Sequence, residues 1–238
     1  MNYVLHKSET RGSADHGWLL SRHTFSFADY YNPERMNFGL LRVINDDIVK
    51  PSMGFGTHPH ENMEIVSIPL IGSLRHQDSM GNKHVINAGE VQIMSAGSGL
   101  THSEYNNSEK EDVNFFQIWV FPKEKNIEPR YGQRYFDSAD RQNKFQVLVS
   151  PQKSDEEIWI NQDAWFSMAD LEAGKEITYQ KHLNANGVYF FVIEGSVDIE
   201  GTSLERRDGL GLEHGESLTI KAKSNTQLLV IEVPMPRH

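Results

Sequence analysis

Apolar residues in this chain come in short runs, each stopped by glycine, asparagine, aspartate or proline. Phe38–Ile44, Glu64–Ile68, Val91–Met94, Phe115–Phe121, Lys144–Val149, Val188–Ile193, Ser217–Ile220 and Gln227–Val233 are the clearest, and they are rich in β-branched and aromatic side chains. No sustained helical periodicity accompanies them, so the pattern predicts an all-β sandwich or barrel. Asp137–Gln142 and Ser154–Trp159 could each hold a turn or two of helix. The pattern also recurs. Ile68-Pro69-Leu70-Ile71-Gly72-Ser73 is echoed by Phe191-Val192-Ile193-Glu194-Gly195-Ser196, and Asn87-Ala88-Gly89-Glu90 by Glu213-His214-Gly215-Glu216. Each copy closes on an apolar strand ending in proline, Ile118–Pro122 and Leu228–Pro234. The expectation is two tandem β-barrels, residues 1–125 and 126–238, joined through the polar stretch Pro122–Arg134.

Within the first copy stand His58-Pro59-His60 and, on what reads as a return strand, His102-Ser103-Glu104. Residues i and i+2 of a strand share a face. His58 and His60 can therefore aim two imidazoles at one point, and His102 with Glu104 can do the same from the other strand. An isolated His-x-His is usually ordinary polar sequence; the second His/Glu pair is what turns it into a metal site. Three imidazoles and a carboxylate leave one or two positions free on a divalent first-row metal, which suits chemistry better than structural bracing. Such a set accepts Fe, Mn, Ni, Co, Cu or Zn, so the ligand types alone leave the metal open.

The repeat tests this assignment. With Gly72 on Gly195, Lys181, Leu183 and Gly187 stand at His58, His60 and Glu64; with Gly89 on Gly215, Leu228 and Val230 stand at His102 and Glu104. A ligand set present in one copy and absent from the other argues for one metal per chain. His182 falls between two aligned positions and is expected on the surface.

Charge and composition narrow the rest. The net charge is 23 − 33 = −10, a field that repels phosphate backbones and argues against nucleic-acid binding by the surface as a whole. There are no cysteines, which removes thiol nucleophiles, Cys-ligated zinc and iron–sulfur clusters. Met1–Leu20 carries charges and no long apolar run, so neither export nor a membrane is expected and a cytoplasmic location follows by default. His60-Glu61-x-x-Glu64 starts like a metalloprotease helix but has glutamate where the second histidine belongs, and no Gly-x-Ser-x-Gly elbow is present.

Gly56-x-His58-x-His60-x-x-x-Glu64 followed by Gly72 resembles the first cupin motif. Gly89-x5-Ser95-Ala96-Gly97-Ser98-Gly99-x-x-His102-x3-Asn106 resembles the second, with two extra residues before the histidine. His23-Thr24-Phe25-Ser26-Phe27-Ala28-Asp29-Tyr30-Tyr31, His58-Pro59-His60, His76-x-Asp78-Ser79-x-Gly81 and Thr101-His102-Ser103-Glu104 narrow the resemblance to the pirin family, densely over the first 122 or so residues. The second half is similar in architecture and repeat more than in motif. The resemblance implies two tandem cupin barrels (a jelly-roll, or double-stranded β-helix, each) with metal in the first and none in the second. It implies His58, His60, His102 and Glu104 as ligands. Alternation alone puts residues 58, 60, 62 and 64 on one face, so Glu64 stays open between ligand and a supporting place behind the ligands, with Glu104 favoured as the ligand.

Several pirin-like proteins are quercetin 2,3-dioxygenases, and the resemblance implies that chemistry: a divalent metal, Fe(II) first, binding the 3-hydroxyl and carbonyl of a flavonol, Glu104 taking the hydroxyl proton, and O2 opening the central ring with loss of carbon monoxide. The implied partners are a small aromatic substrate and O2. Phe25, Phe27, Phe38, Phe55, Phe115, Phe116 and Trp119 could line an apolar pocket, although barrel core is the plainer expectation for most of them. His76 and Asp78 stand equally well at a pocket mouth or in a turn, and Arg22 and His23 read as structural. A second reading keeps the same ligands in a non-enzymatic iron or redox sensor that binds a protein partner. A third has a zinc or manganese isomerase or hydrolase that works without O2.

Overall fold

The structure, a computed structural model, describes residues 3–235. Its first half holds β1 (Tyr3–His6), β2 (Gly12–Asp15), β3 (Leu19–His23), β4 (Leu41–Val49), β5 (Gly54–His60), β6 (Glu64–Ile71), β7 (Ser73–Asp78), β8 (Lys83–Asn87), β9 (Glu90–Ser95), β10 (Leu100–Asn106), β11 (Val113–Val120) and β12 (Arg130–Tyr135). The second half holds β13 (Gln146–Ser150), β14 (Ile158–Trp159), β15 (Trp165–Leu171), β16 (Glu176–Gln180), β17 (Asn186–Glu194), β18 (Val197–Ile199), β19 (Thr202–Leu204), β20 (Gly209–Leu212), β21 (Ser217–Ala222) and β22 (Thr226–Pro234). Helix is confined, among the described residues, to two 3-10 turns, Ser8–Thr10 and Ser138–Arg141. Asp137 caps the latter by accepting from the Ala139 N–H at 3.0 Å. Ser154–Trp159 is not helical; it bends and ends in β14. No helix of the described residues is long and apolar enough to cross a membrane.

Each half is a pair of sheets rolled against each other, the cupin arrangement. A seven-stranded sheet, β12-β9-β6-β11-β4-β3-β2, faces a four-stranded one, β5-β10-β7-β8; β1-β20-β17-β22-β15-β13-β14 likewise faces β16-β21-β18-β19. Two exchanges cross the expected division after residue 125. β1 pairs with β20, Tyr3 opposite Leu212, and β12 pairs with β9, Arg130 opposite Ser95. The N-terminal strand thus completes the second barrel and the polar linker completes the first.

The largest core lies between the barrels. Phe25, Ile44, Phe116 and Ile118 of the first meet Phe166, Tyr189, Phe191 and Leu229 of the second, with Phe116 and Phe191 edge to face at 5.2 Å. Each such buried ring stabilises by roughly 1.5–3 kcal/mol, so the barrels form one seam rather than two independent units. The interior of the second barrel is mainly aliphatic and aromatic, from Val188, Phe190 and Val192 to Leu228, Val230 and Ile220. The first barrel has only two small apolar clusters, one around Leu74, Ile86 and Phe115 and one around Ile65, Met94 and Leu100.

The strand order corrects the repeat alignment. Leu228 and Val230 lie on β22, the counterpart of β11, whereas His102 and Glu104 lie on β10, whose counterpart is β21. The inward pair His58–His102 of β5 and β10 corresponds to Tyr179–Leu218 of β16 and β21, and Glu104 to the inward Ile220. The equivalence of Gly89 and Gly215 fails because Gly89 precedes β9 and the equivalent turn precedes β20. There Arg207 takes the left-handed backbone (φ 67) that Gly89 takes in the first copy (φ 89).

Candidate metal centre

β10 lies between β5 and β7, and its register sets the site. His102 stands opposite His58 on one side and Asp78 on the other; Glu104 stands opposite His76. Between these levels the β5 register slips by one residue, since Glu104 faces Phe55 and not Gly56. Pro59 is tolerated because β5 is the edge of its sheet. Behind the site, the loop before β10 needs glycine at 97. A Cβ there would fall 2.1 Å from the Ile127 carbonyl oxygen, which accepts the Ser98 N–H at 2.9 Å.

His58, His60 and His102 converge, with ring centroids 4.5–4.8 Å apart. Their ligand atoms lie within 4.8 Å of one another, and His76, His102 and Glu104 form a second such group sharing His102. His58 Nδ1 is 2.7 Å from the Gly56 carbonyl and must donate to it, which in the neutral ring leaves the lone pair on Nε2. That atom is 3.0 Å from His102 Nε2. Nitrogens this close share either a proton or a cation, and about 3.0 Å is the separation of two imidazole nitrogens bound at a right angle, each ~2.1 Å from one ion. Burial, reinforced by the neighbouring imidazoles, pushes His60 down to about 4 and His102 to about 3. Both rings are therefore neutral near pH 7, as a ligand must be. The donor set fits a divalent first-row metal.

Glu104 is buried and held from the opposite sheet. Ser67 Oγ donates to its Oε1 at 3.1 Å and Gln117 Nε2 to its Oε2 at 2.6 Å; Gln117 Oε1 in turn accepts from Trp119 Nε1 at 3.3 Å. Each carboxylate oxygen has two lone pairs, so one per oxygen remains. Ser67 and Gln117 belong to a row the motifs did not reveal. His23, Asn45, Gln117, Ser67 and Gln92 are successive cross-strand neighbours on β3, β4, β11, β6 and β9. All are buried, and they form a polar belt across the inner face of the large sheet. The signal was in the sequence for four of them: β4, β6, β9 and β11 each carry the polar residue within a run of apolar ones, whereas His23 ends β3.

Glu64 is not in the ligand cluster. The turn Glu61–Met63, with Asn62 in left-handed backbone (φ 48), ends β5 and breaks the alternation that would have carried Glu64 to the face of His58. It opens β6 and reaches the seam, where Glu64 Oε2 accepts from Ser95 Oγ at 2.8 Å and from the Asn161 backbone N–H at 3.1 Å. Of His76 and Asp78, only the second takes one of the two expected roles. His76 is buried inside the barrel, 5.4 Å from His102 between ring centroids. Asp78 builds the turn, accepting from the Met80 and Asn82 N–H groups and from Asn82 Nδ2. His182 is exposed and stacks on Trp165 at 4.6 Å.

A cavity of about 320 Å³ opens beside the imidazoles, with His58, His60 and Glu104 on one wall. Of the seven aromatic candidates, Phe27, Phe55 and Trp119 line it, joined by Trp18, while Phe25, Phe38 and Phe116 belong to the seam and Phe115 to a core cluster. His23 also lines it, rather than serving only the fold, together with Ser21, Asn45 and Asp47. A volume at the lower end of the usual 300–1,000 Å³ suits a small flat molecule.

Comparison with known proteins gives one answer along the whole chain. A family model described as Pirin matches residues 4–120, and one described as Quercetinase C-terminal cupin domain matches residues 147–233. The chain is 44% identical to a quercetin 2,3-dioxygenase of Escherichia coli K12, over 97% of this chain and 98% of that protein. It is 43% identical to a pirin-like protein of Caulobacter vibrioides, over 93% and 95%. The crystal structure of the bacterial pirin YhhW from Escherichia coli in complex with nickel(II) superposes with a TM-score of 0.93 at 42% identity, covering 99% of this chain and all of that one.

Proposed function

Because the chain belongs to the pirin family, we propose that it is a metal-dependent dioxygenase that opens the central ring of a flavonol such as quercetin with O2, through one ion held by His58, His60, His102 and Glu104. The observation that carries this reading is the convergence of three imidazoles, two of them held neutral, beside a cavity that His58 and His60 line together with Trp18, Phe27, Phe55 and Trp119. The relatives' names support the reaction type, and the donor types support Fe(II) among several divalent metals.

A divalent metal bound there supplies Lewis acidity toward a chelating hydroxyl and carbonyl, and coordination positions for reaction with O2. The protein's own groups do the rest. The His58 Nδ1–H to Gly56 bond fixes that ring's tautomer and direction. Ser67 and Gln117 hold the Glu104 carboxylate facing the cavity, where a free lone pair can accept the substrate hydroxyl proton. Trp119 packs edge-on against His60 at 5.1 Å, and with Phe27 and Phe55 it excludes water and provides flat surfaces for aromatic rings.

The test is O2 uptake with quercetin by protein reconstituted anaerobically with Fe(II), alongside His58→Ala. Uptake with loss of the flavonol absorbance, reduced at least 100-fold in the variant together with its metal content, is expected. Full metal content in the variant would overturn the ligand assignment. One bound metal per chain without uptake would move the reading to the iron or redox sensor.

A further inference from the structure

The polar belt has two halves. Gln92, Ser67 and Gln117 lie behind Glu104, and the last two are engaged by it. The other half, His23 and Asn45, together with Ser21 and Asp47 one level along the same strands, has no metal ligand to hold, yet it lines the cavity. These four side chains bond to one another. Ser21 Oγ donates to Asp47 Oδ1, and Asn45 Oδ1 accepts from His23 Nδ1 at 2.8 Å. That leaves Asp47 Oδ2 and Asn45 Nδ2 with no protein hydrogen bond among the described residues, and neither is a sealed, partnerless core atom. A carboxyl oxygen and an amide donor, each fixed from behind, therefore face a pocket whose other walls carry Trp18, Phe27, Phe55 and Trp119. Core packing does not call for an amide and a carboxyl at this place: the equivalent positions of the second barrel hold the small buried Ser167 and Ala169.

We propose that Asn45 and Asp47 are specificity-determining residues that hydrogen-bond a hydroxyl group of the aromatic substrate remote from its metal-chelating edge. The inference rests on the dioxygenase reading for the substrate class, and it specifies which members of that class are selected. Asn45 is the cross-strand neighbour of Gln117, and Asp47 lies one strand over and two residues along, roughly 8 Å from Gln117 by sheet spacing. That separation leaves room for a ring between the group that Glu104 meets and the group that Asp47 meets. A substrate with a second, distant phenolic hydroxyl satisfies both ends. One with only the chelating hydroxyl leaves a buried acceptor and donor unpaired, and such mismatches discriminate strongly.

Two flavonols with the same chelating edge separate the roles: quercetin, with hydroxyls on both outer rings, and 3-hydroxyflavone, with none. Dissociation constants are measured on metal-loaded protein under nitrogen by quenching of tryptophan fluorescence, since Trp18 and Trp119 line the cavity. Wild type should prefer quercetin by about tenfold or more. Asp47→Asn should bring the ratio close to one, because Ser21 holds the amide oxygen and turns a nitrogen toward the substrate where an acceptor stood. Asn45→Ala, a smaller change to the same edge, should lower the ratio about fivefold and guards against a folding defect in the first variant. A wild type that binds both equally, variants that weaken both by the same factor, or no binding of either flavonol would each overturn the inference. Preferential binding without O2 uptake would sink the dioxygenase reading and leave this one standing; uptake without preference would do the reverse.

Discussion

The two barrels share strand order and differ in what fills them. Across the large sheet of the first run His23, Asn45, Gln117, Ser67 and Gln92; across the matching sheet of the second run Ser167, Val230, Phe190 and Leu210. Ser67 stands five residues before Gly72 and Phe190 five before Gly195, so the substitution is position for position. Backbone ladders are indifferent to this change; the side chains are not. A polar belt is stable only when its members are paired, and the pairing partner on the facing sheet is Glu104. One barrel has a buried carboxyl beside three imidazoles; the other has a mainly apolar core whose buried Glu232 is tied to Tyr179 and the chain at residues 182–186. The fold supplies the frame, and the centre of each strand decides whether the frame holds a site.

Emptying the filled barrel should give the largest stability effect. Phe190→Ala leaves a cavity in the second core and should cost about 3–5 kcal/mol in urea unfolding, while metal bound per folded chain stays at the wild-type level. A metal loss matching the stability loss would show that the barrels do not divide labour in this way. Making the first barrel more like the second should act on the metal instead. Gln117→Leu removes the donor to Glu104 Oε2 and should weaken metal affinity about 10- to 100-fold in competitive chelator titrations. Affinity equal to wild type would mean that the belt is packing alone.

The smallest effect contrasts two buried glutamates. Glu232 of the second barrel accepts from four donors, Tyr179 Oη, the His182 and Leu183 N–H groups and Asn186 Nδ2. Glu64 at the seam accepts from two, and its Oε1 is buried without a partner. Burial pushes Glu64 up from 4.5 to about 7. A carboxyl so raised binds its proton more tightly folded than unfolded, so it removes stability as pH rises from about 4.5 to 7 and by its full amount above that. Glu64→Gln should therefore be more stable than wild type at pH 8, by roughly 1–3 kcal/mol, with the difference gone near pH 4.5. Urea midpoints at pH 5 and pH 8 measure it, and a constant offset at both would dismiss the account.

Much of this was legible in advance, and the misses have physical causes. His58, His60 and His102 declared themselves because alternation on adjacent strands is a local rule. Glu64 stayed open between ligand and support because the alternation rule does not carry through a turn, where Asn62 adopts left-handed backbone and the count restarts. Asn45, Asp47 and Gln117 were visible only as odd polar residues inside apolar runs, and His23 only as a motif residue read as structural; their meaning depends on a cross-strand register that no single run contains. The repeat was real, but Gly215 was matched to the wrong turn because Arg207 occupies the conformation in which glycine was the expected marker.

The exchanged strands have a consequence for the order of events during synthesis. Tyr3–His6 leaves the ribosome well before its partner Gly209–Leu212. β1 must stay unpaired while the roughly two hundred residues between them are made, and the edge it covers exists only once β20 has emerged. Closure of that edge is a long-range event, slow relative to the local hairpins, and a truncated nascent chain presents both an idle strand and, once β20 has emerged, an uncovered edge. The second barrel is fastened by a strand made long before the edge it closes.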